Sequence, residues 1–254
     1  MENGSKIFAY CERGLDPSFW AEPFNAVTNF GFILGACFAA WELSRRPKEE
    51  GKLFRYALIL NVFAIGVGSF LFHTYATPRA SAADVIPIGV FMLVYLGYAL
   101  YAFAGLPLLL IFPAIGAFAY VISQAMEVQC DALGFAWPLL EKTNCLNGSF
   151  GYLPALVAML MIGAWLAMRR HPTAPYVLAA SLVFMVSVTF RATDRIWCNN
   201  ISFMDKAIGT HFLWHTLNSV VLFLLLLAAI RHGAATRASR VGLRDAAKAV
   251  KLRG

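Results

Sequence analysis

Two histidines four residues apart, His211 and His215 in GTHFLWHTLNS, and a serine four before a third histidine, Ser69 and His73 in GVGSFLFH, are the side chains best spaced for chemistry. Residues at i and i+4 lie on one side of a helix, so both imidazoles of HFLWH can face a single point. A third imidazole from a neighbouring helix would complete a three-nitrogen set with an open fourth position. That is the arrangement of a catalytic zinc, which acidifies a water and polarises a carbonyl. Asp84 opens the next apolar segment at the same depth as His73. Each feature has a plainer reading on its own. Histidines in an apolar helix also serve as hydrogen-bonded core residues or haem ligands, a lone serine back-bonds to a helical carbonyl, and a lone aspartate after Ser-Ala-Ala caps a helix. Of the five histidines, His171 in RRHP and His232 at the end of an apolar run read as interfacial residues.

A lipid-embedded bundle must position this set. The 254 residues are 59% hydrophobic and 14% charged, with a mean hydropathy of +0.64, too apolar for the surface of a soluble domain. Apolar stretches of about 20 residues, enough to cross a hydrocarbon core as helices, fall near 23–43, 55–74, 84–104, 106–126, 151–169, 174–193 and 209–231. The spacing therefore predicts an all-α, polytopic, seven-helix bundle without a β-barrel pattern. With the N-terminus outside, fourteen of the 21 basic residues fall on the inner side, from Arg45, Arg46, Lys48, Lys52 and Arg55 to the basic tail. The positive-inside bias thus places the C-terminus in the cytosol and the three histidines toward the outer face. Residues 1–232 form one membrane domain and 233–254 a basic tail expected to be disordered near anionic lipid, with no nucleic-acid partner. MENGSKIFAYCER has no apolar signal-peptide core, so the first span is expected to be an uncleaved anchor. Cys11, Cys130, Cys145 and Cys198 fall on the outer side, an even number that suits two disulfides with three pairings open, whereas Cys37 lies inside the first span. The sequons at Asn3, Asn147 and Asn200 lie on the same outer side.

The set Ser69-x3-His73, Asp84 and His211-x3-His215, spread over spans two, three and seven, resembles the CREST superfamily of seven-span membrane hydrolases. The stretch YCERGLDPSFWAEPFNAVTNFGF is similar to the alkaline ceramidase branch, whose members carry a Cys-Glu pair and an Ala-Glu-aromatic-Asn element entering the first span. The resemblance covers about residues 10 to 220. It implies a zinc held by His73, His211 and His215, with Asp84 close to the metal water and Ser69 beside it; from the three-histidine set, Asp84 is expected to take the water proton and pass it to the leaving amine, and Ser69 to donate to the developing oxyanion. It implies a Cys11–Cys198 disulfide through DRIWC, leaving Cys130 to Cys145. It also implies a calcium site around the Cys-Glu pair, for which Glu12, Asp16 and Glu22 are the available carboxylates. The chain departs from that pattern at Ala9, where an acidic residue is expected, in a shorter spacing between the glutamates, and at Gly14. Solvated Glu12 and Asp16, with Glu22 capping the first span, is the competing reading. The implied activity is hydrolysis of ceramide, or a related N-acyl lipid, to a long-chain base and a fatty acid. A lipase or esterase on another lipid and a non-catalytic seven-span lipid receptor are the alternatives.

Overall fold

The computed structural model describes residues 6–47, 51–128 and 145–251, with side chains through Gly233. Among the described residues, seven helical spans are long and apolar enough to cross a membrane: Pro23–Ser44, Lys52–Tyr75, Pro78–Ala102, Leu108–Glu127, Phe150–Met168, Ala174–Thr193 and His211–Gly233. The chain is an integral, multi-pass membrane protein. The first span comprises α1 (Pro23–Thr28) and α2 (Phe30–Ser44); α3 to α5 are Lys52–Tyr75, Pro78–Ala102 and Leu108–Glu127. A 3-10 turn at Phe150–Tyr152 leads into α6 (Leu153–Met168), followed by α7 (Ala174–Thr193), a two-residue hairpin of β1 (Ser202–Phe203) with β2 (Lys206–Ala207), and α8 (His211–Lys251).

Sequential neighbours pack against each other and α8 returns to α2, so the spans close into a ring. Helix α8 also reaches inward to α3 and α4. The last span and α3 are accordingly the most enclosed, 67% and 56% buried, and they carry all three clustered histidines. Elsewhere large apolar side chains such as Leu34, Phe38, Leu109 and Phe112 point outward, as a lipid-facing surface requires.

Three local departures from the sequence expectation have physical causes. The first span breaks at Asn29, because its side-chain amide takes the Asn25 carbonyl at 2.7 Å and its backbone N–H turns to Ala26 at 3.3 Å. The connection expected between the spans at 55–74 and 84–104 is only Ala76 and Thr77. Thr77 caps α4 by accepting from the Ala80 N–H and Pro78 fills the first helical position, so Asp84 lies within the helix and is not its cap. Helix α8 continues past the membrane span to Lys251, through the tail that composition reads as disordered; Ala, Arg, Lys and Leu there have high helix propensity.

Candidate metal centre

Ser69 and His73 occupy the last turns of α3, Asp84 the second turn of α4, and His211 with His215 the first turns of α8. All five are buried. One nitrogen from each of the three imidazoles lies within 4.8 Å of the others, and no other group of three candidate ligands is found among the described residues. The sequence-predicted set thus converges at one end of the bundle.

Helix α3 meets α4 closely here because Gly68 lacks a side chain. A Cβ at that position would strike the Ala83 carbonyl. Small residues allow such backbone approach, and the result brings the buried Ser69 of α3 into electrostatic reach of the Asp84 carboxylate of α4. The other partners come from the chain before α1 and after α7. Glu22 Oε2 accepts from His73 Nδ1 at 2.5 Å, which turns Nε2 toward the cluster. Thr28 commits its proton to the Phe24 carbonyl at 2.8 Å, so its oxygen accepts from His215 Nδ1 at 3.2 Å. The Tyr10 ring stacks on His211 with centroids 3.6 Å apart.

Asp194 ties down the head of α8. Its two oxygens accept from the backbone N–H groups of Cys11 at 2.9 Å, Thr210 at 2.7 Å and His211 at 2.9 Å. Burial raises its pKa despite those three donors. Gly209 makes the tight entry, since its backbone is left-handed (φ +62°) and a side chain there would collide with Asp194 and Cys11. The Cys11–Cys198 disulfide joins the same two segments. Cys145 is also disulfide-bonded, whereas its expected partner Cys130 lies outside the described residues.

His73 Nε2, His211 Nδ1 and Asp84 Oδ1 are buried atoms with no hydrogen-bond partner. Buried polar atoms are rarely left unpaired, and two orphan imidazole nitrogens within a three-histidine group, with an orphan carboxylate oxygen on the neighbouring helix, fit a metal ion and its water. The calcium set fits poorly. Glu12 spends both oxygens on α1, accepting from the Phe24 N–H at 2.7 Å and the Asn25 N–H at 2.8 Å, and so caps that helix from a distance. Burial raises the Glu12 pKa, with the two N–H donors opposing. Asp16 accepts locally from the Ser18 N–H. Glu22 is shared among His73, Asn25 and Arg13; burial alone would raise its pKa, but these partners together hold it below the ordinary carboxylate value. Glu22 occupies the N-cap position of α1 without capping through its side chain.

A largely apolar cavity of about 790 Å³, its open mouth included, lies one turn below the cluster, reached by Ile65 from α3, Tyr152 before α6 and Asn218 from α8. At the rim Arg191 donates to the Asn147 carbonyl and Ser149 hydroxyl and to Tyr10, and lies over the Tyr152 ring. Sequence inspection missed Tyr10, Thr28, Arg191 and Asp194. Their only signal is spatial, because each contacts residues far away along the chain.

Fold and site define a polytopic membrane protein with a buried three-histidine group able to hold a metal ion. The sequence model of the ceramidase family matches residues 5–243, nearly the whole chain, and the protein belongs to that family. Membership supports a ceramide-hydrolysing enzyme. No curated protein matches the chain.

Proposed function

We propose that the protein is a zinc-dependent intramembrane amidase that adds water across the amide of ceramide, or of a closely related N-acyl lipid, releasing a fatty acid and a long-chain base. The observation that carries this reading is the buried convergence of His73, His211 and His215 beside Asp84 and Ser69, directly above an apolar cavity. The histidines would hold zinc, which when bound supplies Lewis acidity and an acidified water. Asp84, with one oxygen unpaired, takes the water proton and returns it to the leaving amine. The Ser69 hydroxyl, buried near Asp84, donates to the developing oxyanion. Glu22 and Thr28 keep His73 and His215 in the tautomers that present Nε2. The cavity receives an acyl chain while the amide stays at headgroup depth.

The charge bias supports a cytosolic C-terminus and an outward-facing site, and the Cys11–Cys198 bridge at the histidine end suits an oxidising compartment. Metal content by mass spectrometry and fatty-acid release from a fluorescent ceramide, measured together on wild type and His211→Ala, test the function. About one zinc per wild-type chain, lost with hydrolysis in the variant, is expected. Wild type without zinc refutes the mechanism; zinc with turnover of esters but not amides moves the substrate class.

A further inference from the structure

Arg13 is the only arginine that a carboxylate and four backbone carbonyls enclose at the site end of the bundle among the described residues. Its side chain is fully buried. Nε donates to Glu22 Oε1 at 2.5 Å, Nη1 to the Asp16 and Ser18 carbonyls at 3.1 and 2.9 Å, and Nη2 to the His73 and Thr74 carbonyls at 2.9 and 3.4 Å. These are hard oxygen ligands, one of them anionic, drawn from three stretches of chain, and that is the composition of a calcium site. Here a guanidinium occupies the centre. The His73 and Thr74 carbonyls belong to the last turn of α3, whose partial negative charge a cation offsets.

The buried carboxylates Glu12 and Glu22 have both oxygens engaged, Glu12 by α1 and Glu22 by Arg13, His73 and Asn25, and Asp16, exposed, uses one on Ser18. A divalent cation in reach of Glu22 would also face the Arg13 charge in a buried setting, where like charges repel strongly.

We propose that Arg13 is a built-in cation that replaces calcium in this segment and acts as a positioning residue: it fixes Glu22, which fixes His73, so the centre needs only the ion held by its three histidines. The positioning part rests on the zinc reading given above. The calcium part does not.

The full-length protein in detergent, exchanged into calcium-depleted buffer, is titrated with calcium chloride to about 10 mM, beyond the roughly 0.1–1 mM of weak extracellular calcium modules. Binding of radioactive calcium and thermal unfolding are followed. No saturable binding and no rise in Tm are expected; one saturable calcium per wild-type chain overturns the proposal. Zinc affinity is then measured by competition with a zinc-binding dye in wild type, Arg13→Gln and Arg13→Lys. Arg13→Gln should bind zinc roughly 10–100-fold more weakly, the range seen when partners of metal ligands are lost. Lysine keeps the charge but not the planar fork, so Arg13→Lys should recover part of that affinity. Wild-type zinc affinity in Arg13→Gln overturns the positioning role. Should that variant not fold, Arg13→Lys binding zinc as tightly as wild type does the same. Wild type that binds no zinc refutes the three-histidine reading, and the calcium titration then decides the proposal alone.

Discussion

Gly68→Ala should separate metal binding from catalysis. A Cβ at this position would lie 2.6 Å from the Ala83 carbonyl carbon, and nearer still to its oxygen. Bringing the carbon alone to the 3.4 Å of ordinary contact needs about 0.8 Å, and clearing the nearer oxygen parts α3 and α4 by more than that, on the order of 1 Å or above. Backbone cannot rotate away as a flexible side chain can, so the displacement falls on Ser69 and Asp84, the next residue on each facing strand of chain. Overpacking of this kind costs about 1–3 kcal/mol. Misplacing a reacting group by about 1 Å costs on the order of 100-fold in rate. The three histidines are held by Glu22, Thr28 and Asp194, not by the α3–α4 separation at this point. The expected result is a folded protein with about one zinc per chain, a lowered Tm and kcat/KM for a fluorescent ceramide reduced about 100-fold. Gly89→Ala in the same α4 helix is the control, since its Cβ would meet nothing within 4 Å. Wild-type turnover in Gly68→Ala refutes the claim that this close approach sets the Ser69–Asp84 geometry.

Glu22→Gln should weaken zinc about 10–100-fold by removing the carboxylate that orients His73, read by dye competition; unchanged affinity would show that His73 is held by packing. Because the same change leaves the buried Arg13 charge uncompensated, its Tm should fall further than that of Gly89→Ala. Asp194→Ala strands three N–H groups at the head of α8, at about 1–3 kcal/mol for a buried unpaired group, and should lower Tm and zinc retention together; loss of neither means that solvent replaces the carboxylate. Ala155→Phe partly fills the apolar cavity and should raise KM for long-chain N-acyl substrates more than for short ones, whereas an equal effect at every chain length would place the acyl group elsewhere.

Apolar run length was enough to locate all seven spans, because crossing a hydrocarbon core demands about 20 residues whatever they pack against. Helical periodicity alone put His211 beside His215 and Ser69 beside His73, since the 3.6-residue repeat is a property of backbone geometry. Start signals were harder. Asp84 after Ser-Ala-Ala resembles a cap, but the Thr77-Pro78 pair upstream starts the helix earlier, with Thr77 accepting from the Ala80 N–H, and so absorbs the intervening residues into the helix.

Interactions across the chain were not legible. Glu22 partners His73, Asp194 partners Cys11, and Tyr10 stacks on His211, over separations that no local pattern encodes. The acidic residues near Cys11 illustrate the difference. Counted along the sequence, Glu12, Asp16 and Glu22 are three carboxylates awaiting a cation. In the fold, Glu12 is a remote helix cap and Glu22 faces a buried arginine that stood between them all along. Residue types and helical spacing determine which groups can do chemistry; only tertiary packing decides which charge each group meets, because that depends on what else is buried beside it.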